Sequence, residues 1–215
     1  MKLLIFDFDG TLGDTRANII ATMQATARSL GYPVADGNAI AATIGLTLED
    51  GFRVLYPAIS EDEVMGFASE YRRIFEIKRK EMIPGLFPEV KETLARLKGM
   101  GMVLTIASSR QENSLKGFLH DMGIEGYVSM VVGADNVFKG KPDPEAVLVT
   151  LKATGIPATE AMVVGDMPVD IMMGKGAGTL TCGVAWGNSC EKDLRESGAD
   201  YIIYRMSELP GITGI

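Results

Sequence analysis

The chain begins with the stretch Leu3-Leu4-Ile5-Phe6-Asp7-Phe8-Asp9-Gly10-Thr11, in which four consecutive apolar residues precede two acids that are two positions apart. Four apolar residues in a row, without helical spacing, predict a strand buried on both faces of an α/β sheet. Because residues two apart in a strand point to the same side, Asp7 and Asp9 are expected together at its C-terminal end. Open α/β sheets bind ligands at that end, and buried acids are costly unless a cation or a reaction uses them.

Two other interpretations of this stretch are less well supported. Asp9-Gly10 is a strong hairpin turn signal, but the residues after it do not continue as an alternating strand. A calcium loop counted from Asp7 would need glycine at its sixth position and glutamate at its twelfth, whereas Gly10 is the fourth residue and no glutamate stands at the twelfth. The stretch therefore favours a chemical site at the end of a buried strand.

Composition limits the class of protein. The 215 residues are enough for one large domain, or for a core domain with a smaller insertion. A hydrophobic fraction of 47% and a charged fraction of 23% are ordinary for a soluble globular protein. The formal charge of -7 disfavours a nucleic-acid partner, but it is compatible with a small phosphorylated substrate, because local cations can outweigh the global field.

Residue usage also limits the compartment and the chemistry. Two cysteines without a paired framework indicate a reducing compartment. The N-terminal apolar run is interrupted by Asp7 and is too short for a signal peptide or a membrane span, so we expect a cytoplasmic protein without a membrane partner. The single histidine, His120, excludes a His-rich metal site. Chemistry must then rely on carboxylates, hydroxyls and lysine.

The spacing of apolar residues divides the chain into two parts. Asp14 or Thr15 can cap a first helix, and helical patterns continue to about residue 80 with no convincing strand. A run of helices this long exceeds a single crossover between parallel strands. We therefore expect a helical cap domain over residues 15–81, inserted into an α/β core domain formed by residues 1–14 and 82–215.

The core residues alternate between strand and helix patterns, which is typical of a doubly wound (Rossmann-like), mostly parallel sheet. Polar residues follow the predicted strands and should meet at one edge of the sheet. The further strands are expected at residues 103–107, 127–132, 161–164, 179–184 and 201–203.

Four motifs at these strand ends resemble those of the haloacid dehalogenase superfamily of phosphohydrolases. They are DFDGT at 7–11, the strand that ends at Ser108, Lys141 within GKPDP, and GDMPVD at 165–170. The helical insertion after the first motif is similar to the cap of the phosphoglycolate phosphatase and β-phosphoglucomutase branch. The resemblance covers essentially the whole chain.

The resemblance implies a role for each acidic residue. Asp7 would be the nucleophile that forms an aspartyl-phosphate, and Asp9 would be the general acid and base. Mg²⁺ would be held by Asp7, the backbone carbonyl of Asp9, and Asp166, with Asp170 orienting metal-bound water.

It also implies which residues contact the phosphoryl group and the leaving group. The Ser108 hydroxyl and the Ser109 N–H would donate to phosphoryl oxygens, and Lys141 would neutralise charge. This branch often has Thr-Asn-Lys where the second motif here reads Ala-Ser-Ser-Arg, so Arg110 faces either substrate or solvent. The expected phosphate contacts are Phe8, Asp9, Gly10, Ser108, Ser109 and Lys141, and the expected specificity residues are Arg16, Gly45, Leu46, Thr47, Arg53 and Arg110.

The implied function is a Mg²⁺-dependent phosphatase for a small phosphorylated metabolite, with phosphoglycolate first and inorganic pyrophosphate or a sugar phosphate behind it. A β-phosphoglucomutase-like mutase uses the same residues and stays open, as does a regulatory relative that binds a phosphorylated ligand without catalysis. Dehalogenation is disfavoured because it needs neither Asp9 nor a metal. The sequence leaves monomer and homodimer equally open.

Overall fold

The structure, a computed structural model, describes residues 1–214. A six-stranded sheet has the strand order β5-β4-β1-β6-β7-β8, and every pair in it is parallel. The strands are β1 (Leu3–Phe6), β2 (Gly13–Asp14), β3 (Gly85–Leu86), β4 (Val103–Ala107), β5 (Met130–Val132), β6 (Ala161–Gly165), β7 (Leu180–Val184) and β8 (Tyr201–Ile203). The helices are α1 (Arg16–Ser29), α2 (Gly37–Ala41), α3 (Leu48–Leu55), α4 (Glu61–Glu81), α5 (Val90–Gly99), α6 (Glu112–Asp121), α7 (Glu145–Thr154), α8 (Pro168–Gly176), α9 (Glu191–Glu196) and α10 (Leu209–Ile212).

The first strand lies at the centre of the sheet, as its apolar composition requires. All four of its residues are buried, and they alternate between two hydrophobic clusters: Leu4 and Phe6 face one, Leu3 and Ile5 the other. A strand covered on both faces reads as a continuous apolar run. The predicted doubly wound α/β fold is confirmed.

The predicted strand boundaries are mostly accurate. The segments 103–107 and 201–203 match β4 and β8 residue for residue. The prediction of a strand from residue 127 was wrong at its start, because Glu125–Tyr127 forms a 3₁₀ turn in which the Tyr127 N–H donates to Ile124 O. The strand begins only at Met130.

The helices α1 to α4 occupy residues 16–81, and the structure places no strand among them, apart from one isolated bridge between Ile44 and Leu46. Their shared core is aromatic, with the rings of Phe52 and Phe67 4.3 Å apart. The Ser60 hydroxyl and the Glu63 carboxylate form a capping box that begins α4. We call residues 15–81 the helical segment.

A short antiparallel ribbon connects the helical segment to the sheet. Gly13 pairs with Leu86 and Asp14 with Gly85, so β2 and β3 bring the two chain crossings side by side. The sequence indicated only a linker after residue 81, because two-residue strands are too short to show an alternating pattern. Among residues 1–214, no helix has both the length and the apolar character needed to cross a lipid bilayer.

Candidate active site

The carboxyl ends of three central strands meet at one site. Asp7 and Asp9 follow β1, Ser108 follows β4, and Asp166 follows β6, as expected for parallel strands that share an edge. All four residues are buried. The sequence motifs therefore converge in space although they are separated by up to about 160 residues in the chain.

Lys141 reaches this site from the loop before α7 and connects two of its acids. Its Nζ lies 2.5 Å from Asp7 Oδ1 and 2.6 Å from Asp170 Oδ1, with only 3% of the lysine side chain exposed. Burial alone lowers a lysine pKa, but the two carboxylates outweigh burial and raise the pKa of Lys141. The ammonium group is therefore charged at neutral pH.

Three carboxylates around this lysine are arranged as a metal site requires. One oxygen from each of Asp7, Asp166 and Asp170 lies within 4.8 Å of the others. Burial, followed by the charge of Asp170, raises the pKa of Asp166 to about 7, and burial also raises the pKa of Asp7 well above its usual value. One ammonium group does not neutralise three buried acids, so the cluster fits a hard, oxygen-preferring cation.

The carboxylate of Asp166 is oriented by residues that were not predicted. Thr11 Oγ1 donates to its Oδ1 at 3.2 Å, and the backbone N and Nδ2 of Asn188 donate to its Oδ2 at 2.7 and 2.9 Å. A Cβ on Gly10, whose φ is +92°, would lie 2.3 Å from the same carboxylate. Glycine is thus required at residue 10 both for its backbone conformation and for this close approach.

Asp9 is held by two donors outside the metal cluster. Thr15 Oγ1 donates to its Oδ1 at 2.5 Å, and Arg110 Nε donates to its Oδ2 at 2.6 Å. Thr15 does occupy the N-cap position of α1, but its side chain caps no helix N–H, so that part of the helix-capping prediction was wrong. The Thr15 hydroxyl donates to Asp9 instead.

Arg110 lies between the cavity and two aromatic rings and is mostly shielded from solvent. Its side chain is 12% exposed, and its guanidinium carbon lies 5.0 and 4.9 Å from the ring centroids of Phe75 and Phe118. Burial works to lower the pKa of Arg110, but the Asp9 carboxylate outweighs burial and raises it. Arg110 therefore stays charged and links the loop after β4 to both Asp9 and helix α4.

Backbone N–H groups at this edge are available to an anion. Among residues 1–214, the N–H groups of Phe8, Asp9 and Ser109 donate to no protein acceptor. The Ser108 hydroxyl accepts from the Arg110 N–H at 3.3 Å, which leaves its own hydrogen free to donate. Phe8 and Asp9 are buried and Ser109 is half-buried. Donors in such positions usually have an acceptor, so they indicate the place of a bound anionic oxygen.

A cavity of about 550 Å³ lies between the strand ends and the helical segment. Asp7, Asp9 and Ser108 line one side of it, and residues 43–49 line the other. Ser109 Oγ donates to Gly45 O at 2.7 Å and so joins the two sides. The predicted residues Gly45, Leu46, Thr47 and Arg110 all line this cavity.

Two predicted specificity residues lie elsewhere. Arg53 is exposed and pairs with Asp50 at 2.8 Å and with Glu61 at 2.6 Å on the surface of the helical segment. Arg16 is exposed in the first turn of α1 and does not line the cavity. The structure gives no support to a substrate contact by either arginine.

Comparison with known proteins gives matches along the whole chain. The haloacid dehalogenase-like hydrolase family profile matches residues 4–184. The protein named "Probable phosphatase IndB" from Dickeya dadantii is 37% identical over 211 residues, covering 97% of this chain and 92% of that protein. A phosphoglycolate phosphatase from Aquifex aeolicus is 31% identical over 212 residues, covering 97% and 95%. The pyrophosphatase PpaX of Bacillus velezensis is 34% identical over 212 residues, covering 99% and 96%.

A solved structure has the same arrangement of elements. The haloacid dehalogenase-like hydrolase from Bacteroides fragilis has a TM-score of 0.92 and 28% sequence identity, and the match covers 97% of this chain and 99% of that one. The profile match covers the sheet from the second residue of β1 to the end of β7, and with it the acids that converge at the site. The chain belongs to the haloacid dehalogenase-like hydrolases, and it is a phosphatase of that family.

Proposed function

We propose that this phosphatase hydrolyses the phosphate ester of a small metabolite with Mg²⁺, through an aspartyl-phosphate on Asp7. The observation that carries the proposal is the buried ion pair of Asp7 with Lys141, in which Asp7 lines the cavity together with Asp9 and Lys141 lies behind it. A carboxylate that must attack a phosphate dianion needs a nearby cation to cancel the repulsion. Lys141 is the cation placed to do so.

The chain's own residues account for both halves of the reaction. A carboxylate oxygen of Asp7 forms a bond to phosphorus while the bond to the leaving oxygen breaks, and Asp9 gives that oxygen its proton. In the second half, water attacks the aspartyl-phosphate, Asp9 takes the proton, and phosphate and the free Asp7 carboxylate are restored. The N–H groups of Asp9 and Ser109 and the Ser108 hydroxyl bind the phosphoryl oxygens.

The acidic cluster fits Mg²⁺ as the cation. Asp7, Asp166 and the backbone carbonyl of Asp9 would hold it, with Asp170 orienting its water. The ion would supply positive charge that stabilises the phosphoryl group in the transition state. Thr11 and Asn188 keep the Asp166 carboxylate in the orientation that binding needs.

Mg²⁺ is expected to stabilise the fold more at pH 8 than at pH 5. Without metal, folded Asp166 keeps its proton up to about pH 7, whereas the unfolded chain loses it near 3.8. The free energy of unfolding of the metal-free protein therefore falls as pH rises from about 4 to about 7. At the lower end of this pH range, Mg²⁺ must displace a proton from Asp166 in order to bind, so it binds more weakly there. At 100 times Kd, Mg²⁺ adds about 2.7 kcal/mol, or about 5–10 °C in Tm.

Thermal unfolding in EDTA and in MgCl₂ at both pH values measures this effect. Asp166→Asn should remove most of the Mg²⁺ stabilisation and flatten the pH dependence. Equal Tm values with EDTA and Mg²⁺ at pH 8 would count against a metal site at this cluster.

We propose that the helical segment, residues 15–81, acts as a cap domain that selects the leaving group. Residues 43–49 face the acids across the cavity, and the ribbon of β2 and β3 gives the segment a double connection to the core. The cavity has room for a small phosphorylated metabolite, and phosphoglycolate is the first candidate substrate, because a phosphoglycolate phosphatase is among the relatives that match over nearly the full chain. Pyrophosphate is the second, because pyrophosphatases are among the relatives that match over nearly the full chain.

Phosphate release from a panel of phosphorylated metabolites tests the function. With Mg²⁺, the wild-type protein should release phosphate from phosphoglycolate or pyrophosphate faster than from hexose phosphates, and Asp7→Asn should release none. Phosphorus NMR of the products distinguishes hydrolysis, which yields free phosphate, from movement of the phosphoryl group to another position of the substrate, which yields an isomer. An isomerised sugar phosphate in place of free phosphate would indicate a mutase and overturn the proposal.

A further inference from the structure

Arg110 uses only part of its hydrogen-bonding capacity. Its Nε donates to Asp9 Oδ2, but its two terminal nitrogens donate to no acceptor among residues 1–214. They are not sealed inside the protein, because Arg110 lines the cavity and neither nitrogen is a fully buried unpartnered atom. The two terminal nitrogens of this guanidinium are therefore accessible and free to donate to a ligand in the cavity.

Two other arginines line the cavity, and each of them contacts acids outside the strand ends. Arg72 Nη2 donates to Glu49 Oε1 at 2.6 Å. Arg79 lies between two carboxylates, 3.8 Å from Glu76 and 3.9 Å from Asp121. Arg110 has a single acidic partner, as Arg72 does, but its side chain is only 12% exposed, against 39% for Arg72 and 21% for Arg79. It is thus the cation at the floor of the cavity that is best placed to accept a second anion.

The surroundings hold the Arg110 guanidinium and the Asp9 carboxylate in place. Phe75 of α4 and Phe118 of α6 hold the guanidinium through cation-π contacts, and Thr15 holds the far side of the Asp9 carboxylate. Because Nε and the terminal nitrogens belong to one rigid plane, an anion on the terminal edge has a fixed position relative to Asp9. A lysine could not make both contacts with the same geometry.

We propose that the leaving group of the substrate carries its own negative charge, close to the ester oxygen, and that the terminal nitrogens of Arg110 bind this charge. The proposal rests on the proposed phosphatase function and names the substrate class of that site. Binding of the anion would set the ester oxygen beside Asp9, which must protonate it. Arg110 would then be a specificity residue toward the leaving group and a positioning residue for Asp9. A carboxylate one carbon from the ester, or a second phosphoryl group, has the required chemistry.

The test compares substrates that differ in this charge. Phosphoglycolate and pyrophosphate carry it, and 2-hydroxyethyl phosphate does not. For wild type, Arg110→Met and Arg110→Lys, the kcat/KM of each charged substrate is divided by that of 2-hydroxyethyl phosphate. This ratio does not depend on the fraction of folded enzyme, so a loss of stability in a variant does not alter it. Arg73→Met, an exposed arginine paired with Glu70 on α4, is the matched control.

We expect wild type to prefer at least one charged substrate by about 10- to 100-fold, as charge-assisted bidentate contacts provide. Arg110→Met should lose most of that preference, Arg110→Lys about tenfold of it, and Arg73→Met none. The charged substrate whose ratio collapses identifies the anion as carboxylate or phosphoryl.

Two results would overturn the inference while leaving the phosphatase function intact. One is phosphate release without preference for charge in the wild type. The other is an Arg110→Met variant that slows on all substrates equally, which would make the arginine purely structural. If no phosphorylated compound releases phosphate, the proposed function falls and this inference falls with it.

Discussion

Asp7→Asn is expected to reduce kcat by at least about 10⁴-fold on any substrate that the wild type hydrolyses. The amide has the same shape as the carboxylate but is a poor nucleophile, and it cannot form the aspartyl-phosphate. Stability should not fall in parallel. Burial and the neighbouring acids raise the Asp7 pKa against the opposing effect of Lys141, so removing the Asp7 charge relieves repulsion among the acids in the metal-free protein. Lys141 keeps a partner in this variant, because its ammonium group still contacts Asp170.

Steady-state phosphate release, together with a thermal unfolding curve, measures both effects. Asp62→Asn, an exposed acid in the first turn of α4, is the matched control and should retain full activity. Residual activity of Asp7→Asn above about 1% of wild type, with the asparagine verified by mass spectrometry, would show that another group attacks phosphorus.

Lys141→Met is expected to lower kcat/KM by about 10³-fold and to destabilise the metal-free protein by about 3–5 kcal/mol. The variant removes the ammonium group that bridges Asp7 and Asp170 and leaves both carboxylates buried without it. Breaking a buried ion pair on one side is costly because the remaining charge has no partner. The activity falls because the nucleophile loses the cation that opposes its repulsion by the phosphate.

A second substitution separates these two effects. Adding Asp170→Asn to Lys141→Met removes one of the two buried carboxylates that have lost their ammonium partner. Urea unfolding in EDTA should therefore show partial recovery of stability. Activity should not recover, since the ammonium group is still absent. If Lys141→Met alone keeps activity within tenfold of wild type, the electrostatic role of this lysine is wrong.

The sequence predicts the architecture well because the relevant patterns are local. A run of four apolar residues that ends in two acids favours a strand covered on both faces, and β1 lies at the centre of the sheet as expected. The same logic places Asp7, Ser108 and Asp166 at one edge, since parallel strands end on the same side. The short ribbon of β2 and β3 escapes prediction because its pairing partners are about 70 residues apart and leave no periodic signal.

The contacts of Asp9 could not be predicted from local patterns. Arg110 and Asp9 are separated by 101 positions, and their pairing depends on how the loop after β4 meets the one after β1. The sequence predicts Asp14 or Thr15 as the cap of α1, because aspartate and threonine before a helix usually cap it, whereas the Thr15 hydroxyl donates to Asp9. Asn188 could have been found by applying the strand-end argument to β7 as well, since it lies four residues after Val184.

Charge in the helical segment was a poor guide to the cavity. Arg53 has acidic partners three and eight residues away and uses both of them, as exposed helix residues commonly do. The glycine-containing turn at residues 45–47 was the better indicator, because all three of its residues line the cavity. The residues at the strand ends were therefore predictable, and the residues of the helical segment that line the cavity were much less so.

The two-step reaction through Asp7 can be tested by the stereochemical course at phosphorus. The substrate is a phosphoglycolate analogue whose phosphorus is made chiral with sulfur, ¹⁶O and ¹⁸O, and it is hydrolysed in H₂¹⁷O with Mg²⁺. Attack by Asp7 followed by attack of water inverts the configuration twice, so the product thiophosphate should show net retention. Net inversion would mean that water attacks the substrate directly and that Asp7 is not the nucleophile.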